Sequence, residues 1–130
     1  MTPEVPEIRV CVIDDDPGVR DLVSRVLRRA SFTTIEAEDG TTGLAAVESS
    51  QANVVVTDMT MLNGGGSLVI SELKRRFPSV RILAISGGDV GGRNFRDVAT
   101  ELGAHDCLSK PFRLADLVGK VNALAITSAS

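Results

Sequence analysis

Four places in this chain carry groups that could do chemistry together: the run Asp14-Asp15-Asp16, the lone Asp58, Ser86 and Lys110. Each follows a short run of apolar or β-branched residues, Ile8 to Ile13, Asn53 to Thr57, Val80 to Ile85 and Asp106 to Ser109 respectively. Carboxylates, a hydroxyl and an ammonium converging at one edge are a parts list for phosphoryl transfer to Asp58. A carboxylate can act as the nucleophile, Lys110 can pair with a phosphoryl oxygen, and Ser86 can donate a hydrogen bond to another. No general base is required, because phosphoryl transfer depends mainly on positioning and electrostatics. Several carboxylates in one cleft repel one another and raise one another's pKa, so the cluster makes sense chiefly around a cation, and hard oxygen ligands suit Mg²⁺.

The elements that must position these groups are legible in the apolar pattern. Asn53-Val54-Val55-Val56-Thr57-Asp58 reads as a strand buried on both faces at the centre of a parallel sheet, with Asp58 at its carboxyl end. That edge of an open α/β sheet is where ligands bind. Asp16-Pro17 supplies an N-cap followed by proline at the first helical position. The helix it opens runs to about Ala30, with Leu22, Val23, Val26, Leu27 and Ala30 on one face and Arg20, Arg25, Arg28 and Arg29 outside. A strand over 32–37, a short helix over 40–50 and the central strand follow. The loop from Met59 to Gly66 ends in three glycines, which cannot be helix interior. Ser67 is then expected to cap a helix carrying Leu68, Ile70, Leu73 and Phe77, stopped by Pro78. A fourth strand over 80–85, a fourth helix over 95–102, a fifth strand over 106–109 and a last helix bearing Leu114, Leu117, Val118, Val121 and Leu124 complete the order. Strands alternating with helices imply a parallel sheet with right-handed crossovers and helices on both faces.

Composition bounds the function. With 130 residues, 43% of them hydrophobic, the chain is one domain's worth and can bury a core. A net charge of −3 gives no basic face, so direct nucleic-acid binding is not expected. Cys11 and Cys107 lie in strand-like segments and read as small packed side chains in a reducing cytoplasm. The acidic, proline-broken start has no apolar core of a leader, and no long apolar run predicts membrane insertion. The domain is expected over 8–126, with a flexible segment 1–7 before it and a polar tail 127–130 after it.

Four segments carry a family resemblance: Val12-Ile13-Asp14-Asp15-Asp16-Pro17, Val56-Thr57-Asp58-Met59-Thr60-Met61, Ile85-Ser86-Gly87, and Gly103 to Phe112 around Lys110-Pro111. Together, in this order and at these intervals, they resemble the signature of two-component response-regulator receiver domains, over roughly residues 8 to 125. The resemblance implies a flavodoxin-like sheet of strand order 2-1-3-4-5. It implies Asp58 as phosphoacceptor, Asp14, Asp15 and Asp58 with the Thr60 backbone carbonyl around Mg²⁺, Ser86 as switch hydroxyl and Lys110 as phosphate partner. It further implies a cis Lys110-Pro111 bond and a switch that is no enzyme beyond assisting its own phosphotransfer and slow self-dephosphorylation. The partners implied are a sensor histidine kinase or phosphotransfer protein and an unknown downstream protein target, bound through the face of the fourth helix, fifth strand and fifth helix. The chain would be a monomer or a phosphorylation-dependent dimer, either complete in itself or excised from a longer regulator. Two positions depart from the family's pattern. Leu62 stands where a proline is usual, and Cys107 where an aromatic switch ring is common.

Plainer readings compete for single residues. Asp16 is most economically an N-cap, His105 an exposed loop residue, Lys74-Arg75-Arg76 a solvated helix end, Cys107 a packed small side chain, and Ser86 before two glycines is ordinary loop chemistry. Two other functions compete for the whole. A haloacid-dehalogenase-like phosphatase needs a second Asp two residues after the nucleophile, where this chain has Thr60. A phosphorylation-independent scaffold of the same shape is favoured only if an acidic or lysine position is missing, and none is.

Overall fold

A computed structural model describes residues 7–60 and 65–129. The elements are β1 (Arg9–Ile13), α1 (Pro17–Arg29), β2 (Thr33–Ala37), α2 (Gly40–Ser50), β3 (Val54–Asp58), α3 (Gly65–Arg76), β4 (Arg81–Ser86), α4 (Phe95–Leu102), β5 (Asp106–Ser109) and α5 (Leu114–Ala129). The five strands form one parallel sheet in the order β2-β1-β3-β4-β5, as the resemblance implied.

Alternation along the strands sorts the core into two layers. Cys11, Ile13, Val55, Ile82, Ala84 and Cys107 point to the side covered by α2, α3 and α4, where Val47, Ile70, Leu73, Phe95 and Ala99 meet them. Val10, Val12, Val54, Val56, Leu83, Ile85 and Leu108 point the other way, against Val23 and Leu27 of α1 and Leu117, Val121 and Leu124 of α5. Every residue of β3 is buried, which accounts for its unbroken β-branched run.

Strand register sets the functional edge. Ile13 pairs with Thr57, so the residues that follow, Asp14 and Asp58, leave the sheet side by side. Asp58 pairs with Ile85, and Ser86 with Ser109, which puts Ser86 one step and Lys110 two steps further along that edge. The sheet order reverses direction between β1 and β3, and the crevice beyond such a switch point is where open α/β sheets bind ligands.

Several local expectations are corrected. Leu22 is 47% exposed, because the buried stripe of α1 runs through Val23 and Leu27 and leaves Leu22 one row out. Leu68 on α3 and Leu114 on α5 are likewise exposed, with Val69, Ile70 and Leu73 and then Leu117 and Val121 forming the inward faces. Helix α3 opens at Gly65, two residues ahead of the Ser67 cap expected, so Gly65 and Gly66 form its first turn. Helix α5 continues through Ala129 across most of the expected tail, as a helix anchored by buried Leu124 and Ala125 can propagate at one hydrogen bond per residue. Of the segment 1–7 only Glu7 is among the described residues, and Met61, Leu62, Asn63 and Gly64 lie outside them. Among the described residues no helix is long and apolar enough to cross a membrane.

Two helical glycines have opposite surroundings, and this sets a test of the packing. A Cβ on Gly43 of α2 would stand 2.5 Å from Ile13 Cδ1, a core side chain with no room to move. A Cβ on Gly119 of α5 would meet nothing within 4 Å. Gly119→Ala is therefore expected to stabilise by about 0.5–1 kcal/mol through helix propensity. Gly43→Ala should destabilise by about 1–3 kcal/mol through overpacking, despite the same gain in propensity. Urea melts of the two variants check the opposite signs.

Candidate functional site

Asp58 ends β3 with its side chain only 5% exposed, and both of its oxygens are engaged. Oδ2 accepts from Lys110 Nζ at 2.8 Å. Oδ1 accepts from the Thr60 backbone N–H at 2.8 Å and from the Thr60 hydroxyl at 2.7 Å, which holds the carboxylate plane in one orientation. Burial by itself would push the Asp58 carboxyl up, but the Lys110 ammonium and the two Thr60 donors outweigh it and hold it below the usual carboxylate range. Burial opposes the charge on Lys110 as well, yet Asp58, Asp14 and Asp16 keep its pKa raised. The pair is thus a carboxylate and an ammonium at neutral pH.

Asp14 is tied down on three sides. Its N–H donates to the Ala37 carbonyl at 3.1 Å, its Oδ1 accepts from the Asp16 N–H at 2.9 Å, and its own carbonyl accepts from Arg20 at 2.8 Å. Oδ2 lies 4.0 Å from Lys110 Nζ. Burial raises the Asp14 carboxyl above its ordinary value, and the charges of Asp58 and Asp15 add to the rise against the opposing Asp16 hydrogen bond and Lys110. Asp16 does what the plain reading assigned to it, capping α1 by accepting from Gly18 at 2.9 Å and Val19 at 3.3 Å.

One carboxylate oxygen from each of Asp14, Asp15 and Asp58 can be chosen so that all lie within 4.8 Å of one another, with Asp15 exposed and the other two buried. Three hard donors this close, one of them disfavoured in its charged form by burial and by its neighbours' charge, fit a divalent cation such as Mg²⁺. The exposed Asp15 leaves the cluster open to solvent on one side.

The remaining expected residues sit nearby in different states. Ser86, buried at the end of β4, turns its hydroxyl onto its own loop, donating to the Gly88 carbonyl at 2.6 Å and accepting from the Gly88 N–H at 3.2 Å. Its carbonyl accepts from the Lys110 N–H at 2.9 Å, which ties the two strand ends together. The Lys110-Pro111 peptide is cis. Cys107 is buried in the layer under α4, where burial raises its thiol pKa, as burial pushes that of Cys11 up to about 12.

His105 is a correction. It is half-buried, and its Nδ1 accepts the Ile82 N–H at 3.0 Å, so it finishes the edge of the sheet instead of lying in an open loop. Arg20 does not lie outside as the helix pattern predicts, and the Thr60 hydroxyl bonds to Asp58, a contact the sequence does not show. Arg20 is one turn into α1, a position from which a long side chain reaches back to the strand end, and that spacing was the available signal.

A five-stranded parallel sheet of this order, with an acidic trio and a lysine at its switch point, defines the class. Residues 10–122 match the response regulator receiver domain, and the chain belongs to that family. It is 33% identical over 128 residues to the alkaline phosphatase synthesis transcriptional regulatory protein SphR of Synechococcus elongatus, covering 92% of this chain and 49% of that protein. It is 33% identical over 124 residues to the transcriptional regulatory protein PrrA of Mycobacterium tuberculosis, covering 95% and 52% respectively. The chain thus spans about half the length of these relatives. Among solved structures, the receiver domain of NtrX from Brucella abortus superposes with a TM-score of 0.82 at 29% identity, over 91% of this chain and 98% of that one.

The raised pKa of Asp14 has a consequence for stability. A carboxyl whose folded pKa lies above its unfolded one stabilises the fold when protonated, and that contribution is lost as pH rises through the folded pKa. At neutral pH without a divalent cation, Asp14 is therefore a net cost. Asp14→Asn, which keeps an oxygen for the Asp16 N–H, should raise the melting temperature by a few degrees at pH 7, with the gain shrinking as pH falls into the carboxylate range. Calorimetric melts of both proteins across that range, in chelator, check the sign.

Proposed function

We propose that this chain is a phosphorylation-controlled switch, taking a phosphoryl group on Asp58 from a histidine kinase or phosphotransfer protein and then changing its affinity for a protein partner. The observation that carries this reading is the buried, ionised Asp58 with Lys110 on one oxygen and the carboxylates of Asp14 and Asp15 beside it. In the transfer, an Asp58 carboxylate oxygen bonds to phosphorus while the bond from phosphorus to the donor's imidazole nitrogen breaks, its electron pair returning to that nitrogen. Oδ2 is the attacking atom in this reading, since Thr60 keeps Oδ1 fixed. Lys110 then moves its ammonium from Oδ2 to a phosphoryl oxygen. Asp14, Asp15, Asp58 and the Thr60 carbonyl would hold Mg²⁺, which when bound neutralises charge on the phosphoryl oxygens.

The change of state would begin at Ser86. Its hydroxyl must leave the Gly88 carbonyl to reach the phosphoryl group, and the loop toward α4 would then rearrange. The output surface in this reading is the α4-β5-α5 face. Two ion pairs lie on or beside it, Lys120 on both oxygens of Asp106 and Arg93 in a fork with Glu101. Thr60 and Gly88 present no carboxylate, amide or amine to orient water, which favours slow self-dephosphorylation. The relatives being transcriptional regulators, the expectation of no nucleic-acid partner is not kept for the whole protein. A phosphatase of the haloacid-dehalogenase kind is disfavoured, because the Thr60 hydroxyl stands where its general acid would be and donates to Asp58.

Incubation with acetyl phosphate and Mg²⁺ should add one phosphoryl group by intact mass, and Asp58→Asn should add none. Equal labelling of the variant would overturn the site, and no labelling of the parent would favour the scaffold reading. For the output, calorimetry of partner binding with and without beryllofluoride should show Ser86→Ala uncoupled and Cys107→Ala nearly silent. The reverse pattern would place the switch at Cys107 instead.

A further inference from the structure

We propose that Arg20 is a positioning residue for the acidic pair, setting the divalent-cation affinity of the site from outside it; this rests on the Mg²⁺ reading above. Arg20 rises from the first turns of α1 with its side chain only 20% exposed. Its guanidinium donates to the backbone carbonyl of Asp14 at 2.8 Å, while its Nε lies 3.7 Å from Glu36 Oε1 on β2. Glu36 is held in turn by Arg28 at 3.7 Å, and Arg28 also donates to Thr34 at 3.1 Å. A planar fork can reach a carbonyl and a carboxylate together, and a lysine ammonium in its place cannot keep both geometries.

The Asp14 carbonyl begins the turn that carries Asp14, Asp15 and the Asp16 cap. Asp14 N–H to Ala37 anchors the first residue of that turn to the end of β2, and the Asp16 carboxylate accepts from Gly18 and Val19 of α1. Arg20 adds a tie from the Asp14 carbonyl to α1 and, through Glu36, to the neighbouring strand. Without it the turn keeps its carboxylates but loses a restraint on the backbone that carries them.

Charge and position predict opposite signs. A guanidinium close to the cluster repels a cation, so a purely electrostatic role means that removing it tightens Mg²⁺ binding. Position predicts weakening, and groups that orient metal ligands from behind typically contribute on the order of tenfold or more in affinity. Position should win, because Glu36 offsets the Arg20 charge and solvent screens what remains, whereas the bond to Asp14 is short.

The test is calorimetric titration of Mg²⁺ into the parent protein, Arg20→Lys, Arg20→Gln and Glu36→Gln, with a thermal melt of each in chelator to establish that it is folded. Both Arg20 variants should bind Mg²⁺ about tenfold more weakly. Glu36→Gln should fall between them and the parent. In the absence of metal, the backbone amide resonances of Asp15 and Asp16 should shift in Arg20→Lys, which retains the charge. Parent-like affinity in Arg20→Lys reduces the role to charge and overturns the proposal, as does tighter binding in Arg20→Gln. Should the parent bind no Mg²⁺, the metal reading falls and this proposal with it. Should the parent bind and the variants match it, only the role of Arg20 falls.

Discussion

Everything at the working edge follows from keeping three carboxylates together, two of them buried. Asp14 and Asp58 are buried side by side because β1 and β3 are in register, and the core on both faces of those strands leaves them nowhere else to go. Isolated, two such charges would cost the fold several kcal/mol each. Lys110 brings the compensating charge, 2.8 Å from Asp58 and 4.0 Å from Asp14. The compensation is unequal, which leaves Asp58 ionised below its usual range and Asp14 strained above it. A site so divided holds one well-compensated carboxylate and a standing demand for more positive charge.

The same lysine links chemistry to the rest of the molecule. Its N–H bonds the Ser86 carbonyl, and the Ser86 hydroxyl is stored on Gly88 at the entrance to the loop before α4. Further along, Arg96 of α4 donates to Ser109, the residue before Lys110. A phosphoryl group that drew Lys110 and Ser86 toward itself would pull on both ends of this chain of contacts. With Cys107 packed as a small inert side chain beneath α4, such movement would have to travel through backbone and loop.

The opposite wall of the site is braced. Arg20, Glu36 and Arg28 join α1 and β2 to the acidic turn, and the Asp16 cap fixes where α1 begins. One side of the crevice is therefore anchored by ion pairs and a helix cap, and the other carries the glycine-containing loop after Ser86. This asymmetry suits a device in which the acids stay in place while the signalling elements move.

Much of this was legible in the sequence. The strand-end positions of Asp14, Asp58, Ser86 and Lys110, the alternation of strands and helices and the Asp16-Pro17 cap all follow from local rules: apolar runs end where the sheet ends, and caps are short-range hydrogen bonds. Tertiary structure alone decided the rest. The direction of each pKa shift depends on which charges burial brings within a few ångströms. The exposure of Leu22 and Leu68 depends on which row of a helix meets the sheet. His105 completing β4's edge through Ile82 is a contact between segments whose spacing carries no periodic signal, whereas the spacing of Arg20 from Asp14 permits their contact without requiring it. Sequence records which groups are present and which local shapes they favour, but which of them touch is settled only when the sheet closes its register and the helices pack against it.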